Sequence, residues 1–322
     1  TLAPYQRPSL ARSVMEIAIT VGPLAGLWGG ALFAVSQGWW WAGLALSAPA
    51  AAFLVRLFMI QHDCGHSAFF RSGAANTWVG RIAGVLTMTP YDYWRRTHAI
   101  HHATSSNLDR RGLGGVETLT VEEYRALSPM RRLGYRLYRN AAVMLGLGPA
   151  YMFLLQHRLP IGLMKERRAW VSVLGNNLGL AVLVTVQVLI AGPQALLAVH
   201  LPIVVIAASI GVWLFFVQHQ FEPGWWGRQA QWSLHDAAFR GSSHLDLPQP
   251  LRWMTANIGA HHLHHAASKI PFYRLPQVLR DHPHFHHVGR ITLADALRAV
   301  RTALWDERSG RLVSFREARA SA

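Results

Sequence analysis

A single cysteine, Cys64, stands in a chain of 322 residues. It excludes an intramolecular disulfide and a thiolate cluster, so any bound metal must rest on other donors. Charge is scarce too: only 15% of residues are charged, against 51% apolar residues and 13 tryptophans. That balance is too apolar for an ordinary soluble domain of this length and points to a membrane protein. The net charge is +15, yet the arginines are spread along the polar segments without a nucleic-acid motif, so no nucleic-acid partner is expected. Anionic lipid headgroups and an acidic protein partner suit the charge better.

What is present is long apolar runs. Four of them, at about 17–36, 39–60, 170–191 and 195–217, are 20 to 23 residues long. As helices they measure roughly 30 to 35 Å, enough to cross the hydrocarbon core. The first two are separated by little more than Gly38 and the last two by Gly192, Pro193 and Gln194, which predicts two helical hairpins. Arg56 is the one strong charge inside a run and is expected to snorkel to the interface. Two weaker apolar stretches, 78–90 and 141–155, are read as interfacial or re-entrant helices.

Each hairpin crosses and returns, so the amino-terminal arm, segment 62–169 and segment 218–322 share one side of the bilayer. The connectors carry no Lys or Arg, whereas Arg7, Arg12, Arg71, Arg158, Lys165, Arg167, Arg168 and Arg228 flank the runs on the shared side. That side is expected to be cytoplasmic. The arm 1–13 leads straight into a long span that is followed by another, and is not read as a cleaved secretory signal. With no initiator Met, some native amino terminus is expected to be missing.

The 18 histidines fall where this topology lets them meet. In HDCGH, His62 and His66 are spaced i, i+4, which places both rings on one face of a helix. HAIHH supplies His98, His101 and His102 at i, i+3, i+4, and HHLHH repeats that pattern with His261, His264 and His265. Neutral imidazole is a good donor to iron, copper and zinc, and eight such donors are too many for one ion but suit two. A lone HxxxH is commonly an accident; three such boxes on the same side are not, since burying so many polar rings without partners is costly. Tetrahedral structural zinc would use four ligands, usually including Cys, and leave half of these residues unexplained. DHPHFHH, residues 281–287, is richer in histidine, but Pro283 breaks a helix there and the segment is read as an exposed turn. His157, His200, His235 and His244 stand alone, and His200 lies at the far end of its span.

QHDCGHSAFF (61–70), RRTHAIHHATSSNLDRRG (95–112) and NIGAHHLHHAASKIPFYRL (257–275) resemble the three histidine boxes of membrane fatty acid desaturases, in particular the bacterial and plastid-like acyl-lipid branch of delta-12 or omega-6 type. The resemblance runs from about residue 50 to 280. It implies two iron ions held by the box histidines, which use O2 to remove hydrogen from unactivated methylene carbons and leave a cis double bond and water. It also implies a ninth ligand outside the boxes, for which His219 is the candidate, while His262 is the variable position within the third box and is excluded. Asp63, Asn107, Asp109, Glu222 and Asn257 stand beside candidate ligands and are candidates for acceptors of imidazole N–H groups, or for local caps and solvated surface. Phe69, Phe70, Trp94, Trp225 and Trp226 are candidates for the walls of an acyl slot, or for interface anchors.

Electrons must come from outside, because the sequence shows no HPGG haem signature and no GxGxxG or flavin-binding pattern. A small acidic donor such as ferredoxin is implied, with Arg95, Arg96, Arg110, Arg111, Arg131 and Arg132 as candidates for its dock, or for solvated surface and lipid headgroup contact. The substrate implied is a membrane-lipid or acyl-carrier-linked acyl chain. The expected fold is all-α: four spanning helices as two hairpins, capped on the cytoplasmic side of a bacterial inner membrane by a helical catalytic unit that holds the di-iron site. Residues 1–322 are expected to form one functional domain. Ile291 to Arg301 has the apolar spacing of an amphipathic helix. A fatty acyl hydroxylase or carotenoid-type oxygenase would share this scaffold. A metal transporter is the non-enzymatic alternative, but it would place ionisable residues within the spans, whereas the boxes lie beyond them.

Overall fold

The computed structural model describes residues 2–320; the first residue of the 1–13 arm and the last two of segment 218–322 lie outside the described residues. Among the described residues, four helices are long and apolar enough to cross a membrane. The first hairpin pairs α1 (Leu10–Ser36) with α2 (Trp40–Gly65). After it come two shorter helices, α3 (Gly73–Leu86) and α4 (Tyr91–Thr104). Three small ones follow: α5 (Val121–Ala126), α6 (Pro129–Tyr138) and α7 (Gly148–Leu154). The second hairpin pairs α8 (Arg167–Ala191) with α9 (Leu201–His219), which continues a π-helical turn at Leu196–His200. The remainder carries α10 (Leu234–Phe239), α11 (Gln249–Met254), α12 (His261–Ala266), α13 (Leu275–Asp281), α14 (Leu293–Ala299) and α15 (Glu317–Ala320).

The hairpins close where the sequence provides glycine. Gly38 and Gly192 have φ of +80° and +76°, a left-handed conformation that costs glycine little and lets each chain reverse at once. Helix starts are set by side-chain caps: Ser9 accepts from the Arg12 N–H, Ser72 from Ala75, and Thr120 forms a reciprocal capping box with Glu123. In the core of the bundle, Ala31, Ala50, Ala51, Ile60, Ile203 and Phe216 are buried. On α8, Leu174, Leu178, Val182 and Leu189 face outward, as expected of a lipid-facing surface.

The spans overrun the apolar windows. α2 continues past residue 60 to Gly65, so His62 belongs to the spanning helix itself, and α9 runs to His219. The stretches at 78–90 and 141–155 give α3 and, after a π-helical turn at Val143–Leu147, α7; neither is long enough to cross.

The expected helical membrane fold holds and carries five short strands among the described residues, while two finer expectations need correction. β1 (Leu119–Thr120), β4 (Leu304–Asp306) and β5 (Arg311–Val313) form one sheet in the order β1-β4-β5, with Leu119 opposite Leu304 in parallel and Leu304 opposite Val313 antiparallel. β2 (His244–Asp246) runs parallel to β3 (Arg290–Thr292), with Leu245 opposite Ile291. These strands tie the carboxy-terminal tail to the segments before and after α9. The helix expected at 291–301 is cut short for the same reason: Ile291 is taken by β3, and α14 keeps only seven residues. Finally, Arg56 does not snorkel. It is 1% exposed and pairs with Glu16, also 1% exposed, because the neighbouring helix offers a carboxylate closer than the interface.

Candidate metal centre

Four elements deliver nine histidines to one place between the bundle and its cap. The end of α2 brings His62 and, one residue past the helix, His66; α4 brings His98, His101 and His102; α9 ends on His219; and α12 consists largely of the third box. They sort into two groups whose ligand nitrogens lie within 4.8 Å of one another: His62, His66, His98, His102 and His264 in one, and His101, His219, His261 and His265 in the other.

The sorting follows helix geometry. α4 gives its i, i+4 pair, His98 and His102, to the first group and the intervening i+3 residue, His101, to the second. α12 does the reverse, giving His261 and His265 to the second group and His264 to the first. The two helices thus make the same contribution with the groups exchanged, and the first box and His219 complete the two sets.

The distances limit what the nitrogens could hold. Nε2 of His98 lies 3.1 Å from Nε2 of each of His62, His66 and His102, and His264 is 3.1 Å from His102. In the second group His219 is 3.0 Å from both His101 and His261, and His265 is 3.1 Å from His261. Hydrogen bonds cannot explain this, since the single proton on His98 Nε2 cannot serve three neighbours. Imidazole nitrogens at about 2.1 Å from one ion and at right angles would be about 3.0 Å apart. The donor sets therefore fit two adjacent metal ions.

Burial keeps the donors in the required state. His98, His101, His102, His261, His264 and His265 have pKa values pushed well below the usual imidazole range, first by desolvation and then by the neighbouring rings. They are neutral, with a lone pair free for a metal. Several rings are oriented through Nδ1. His219 hydrogen-bonds with its Nδ1 to the Gly241 carbonyl at 3.2 Å, His265 meets Ser105 Oγ at 3.5 Å, and His62 meets Asp63 at 3.4 Å. Trp94 stacks flat on His98, centroids 4.6 Å apart at 15°. A side chain at Gly65 would strike that indole, since its Cβ would lie 2.8 Å from the Trp94 ring.

Of the five acceptors proposed from sequence, only Asp63 reaches a box histidine. Asn107 donates to Gln229, Asp109 holds Arg228 and Gln229, Glu222 accepts from the Leu312 N–H, and Asn257 donates to the Phe272 carbonyl. They fix loops rather than rings. The Gly241 carbonyl and Ser105 were missed. A backbone carbonyl carries no residue signature, and Ser105 meets His265 only across the fold.

Among the slot candidates, Trp94 touches His98 and Trp226 lines a pocket that reaches His101 and His219 beside Arg111, Gly115 and Val116. Phe69 and Phe70 pack on each other and Phe69 on Phe272, while Trp225 lies under Arg240. His262 is buried away from both groups, near His244 and Phe285. The 281–287 segment is a short 3-10 turn at Pro283–His286 with His284 exposed. His200 bonds to Gln187 at 3.0 Å, roughly 28 Å of helix away from His219.

Over residues 38–292 the chain matches a known family model, fatty acid desaturase. The chain belongs to the fatty acid desaturase family. A fatty acid desaturase of Bacillus subtilis is 42% identical over 316 residues, covering 98% of this chain and 89% of the relative. An sn-1 oleoyl-lipid 12-desaturase of Synechocystis sp. is 25% identical over 256 residues, 74% of this chain and 65% of that protein. An sn-1 acyl-lipid omega-3 desaturase (ferredoxin) from Synechocystis sp. is 34% identical over 102 residues, 32% and 28% of the two chains. The desaturase is thus an oxidoreductase of fatty acyl chains and a membrane protein, with histidine clusters suited to a metal centre.

Proposed function

We propose that this desaturase inserts a cis double bond, of delta-12 or omega-6 type, into the acyl chain of a membrane lipid, with two iron ions held by the nine histidines. The observation that carries the reading is the division of those histidines into a set of five and a set of four, each with Nε2 spacings suited to a single ion. Iron so bound supplies O2 activation for the removal of two hydrogens from adjacent methylenes, with two electrons and two protons from outside and two waters as co-product.

The chain's own residues do the rest. The six cap histidines stay neutral and keep Nε2 turned inward; Gly241, Ser105 and Asp63 hold ring orientations; Trp94 and Phe215 pack on His98 and His101 and keep water from them. The name of the oleoyl-lipid relative supports the bond position and a lipid-linked substrate. The other cyanobacterial relative's name supports a ferredoxin-like donor. Arg95, Arg96, Arg110 and Arg131 are exposed and suit its dock, whereas Arg111 is paired with Glu123 and Arg132 is spent on the Leu127 and Arg125 carbonyls. We read residues 1–322 as one functional unit, set in a bacterial inner membrane with the metal face cytoplasmic, as the arginine-free connectors support.

The test is the fatty acid profile, with double bonds localised, of a bacterial host expressing the chain with ferredoxin and its reductase. A new fatty acid with a cis double bond at the delta-12 position is the expected result. A hydroxy acid or an oxidised carotenoid would move the reaction to the oxygenase alternative. Correctly inserted, iron-loaded protein with no new product would overturn the substrate or donor assignment.

A further inference from the structure

Arg56 and Glu16 are both buried in the membrane bundle, where an ionised side chain is expensive and calls for a reason. Every nitrogen of the guanidinium is used: Nε donates to Thr20 Oγ1 at 3.2 Å, Nη2 to Glu16, and Nη1 to the backbone carbonyl of Trp253. The far oxygen of Glu16 is held by Arg12 at 2.7 Å. The guanidinium also lies 4.1 Å from the centroid of the Trp253 ring and 5.5 Å from that of Phe272. α1 and α2 would be joined by Glu16 and Thr20 alone; the Trp253 contact reaches out of the bundle into the cap.

Trp253 sits in the last turn of α11, just before the chain enters the third box. Three and four residues after it, Ala256 and Asn257 have φ of +51° and +58°, a left-handed pair that holds only where the surroundings impose it. Further along, Gln218 donates to the Ile258 carbonyl at 3.1 Å, and a Cβ on Gly259 would lie 2.4 Å from the Leu245 carbonyl oxygen. Beyond the box, Asp63 accepts the Phe272 N–H at 2.7 Å. Helix α2 therefore grips the third-box segment on both sides, with Arg56 before it and Asp63 after it.

We infer that Arg56, locked in place by Glu16, is a positioning residue for the third histidine box. Resting on the proposed metal reading, this assigns a buried ion pair at the cap end of the bundle to the placement of His261, His264 and His265, and so to both ions at once. Lysine could satisfy Glu16 but has no planar fork to reach Trp253 as well.

The experiment uses the full chain in detergent: wild type, the double variant Glu16→Leu with Arg56→Met, and Arg56→Lys. Iron affinity is read by chelator competition, iron environment by Mössbauer spectra of 57Fe-loaded protein, and folding by thermal unfolding of the metal-free form. An apolar pair replaces a buried ion pair with little loss of stability, so the double variant is expected to insert and unfold like wild type. Its iron affinity is expected to fall at least tenfold, with altered signals from both ions, and Arg56→Lys is expected to fall between the two. A double variant with wild-type affinity and spectrum overturns the inference, leaving the pair as a tie between α1 and α2. Should that variant not accumulate, Arg56→Lys decides by the same two readouts. Wild-type protein that takes up no iron overturns the metal reading itself, and this inference with it.

Discussion

His102 and His265 lie face to face, centroids 4.1 Å apart and planes 14° from parallel, although one belongs to the set of five nitrogens and the other to the set of four. The two sets meet at this stacked pair, so losing a ring from either is felt by both. His101→Ala is expected to abolish product while leaving membrane insertion intact, and to lower bound iron below two per chain. Wild-type product yield from that variant would remove His101 from the ligand set.

His219 and His284 make a matched pair. His219→Ala takes away a nitrogen 3.0 Å from both His101 and His261, and activity is expected to disappear with iron loss. His284→Ala alters an exposed turn and is expected to leave product yield within about twofold, since surface substitutions usually change stability by no more than about 0.5 kcal/mol. Equal losses in the two variants would mean that the exposed turn matters to activity as much as the buried His219 nitrogen.

Acid should act on the metal-free protein through the cap histidines. Their folded pKa values lie well below the ordinary value of 6.5, so below that pH the unfolded chain binds more protons than the folded one. The stabilisation is complete above about pH 6.5 and is lost progressively as pH falls. The unfolding temperature is expected to drop steadily from pH 7 to pH 5, and bound iron to be released in the same direction because protons compete for the same nitrogens. A flat profile across that range would show that the rings are not held neutral.

Asp63→Asn keeps an acceptor for the Phe272 N–H but removes the carboxylate beside His62 Nδ1. Iron affinity is expected to fall about tenfold to 100-fold, with the unfolding temperature of the metal-free protein nearly unchanged. Equal iron affinity would confine Asp63 to holding the backbone.

Gly65→Ala places a methyl group 2.8 Å from the Trp94 ring. Trp94 must move off His98 or α2 must shift, at a cost of about 1–3 kcal/mol. Circular dichroism melts are expected to show the loss, and Gly65→Ala combined with Trp94→Phe to recover part of it.

The eight box histidines could be read from the sequence because their information is local: i, i+3 and i+4 spacing already fixes a helix face, and long apolar runs already fix the spans; His219 has no such partner in sequence and came only from the resemblance. Glu16 escaped because it lies one residue before the first apolar run, and a carboxylate at that edge looks like an interfacial charge until Arg56 is seen opposite it. The two- and three-residue strands β1 to β5 have no period of their own; partners such as Leu119 and Leu304 lie far apart in the chain. Asp109 and Glu222 showed the opposite failure. Nearness in sequence to a histidine suggested a role, but their carboxylates turn to Arg228 and to the Leu312 N–H.

The exchange between α4 and α12 has a consequence for assembly. On the proposed two-iron reading each helix would hand nitrogens to both ions, so the first ion to arrive would draw the two helices into the spacing that the second requires. Iron uptake by the empty protein is then expected to be cooperative, with half-loaded molecules scarce throughout the titration.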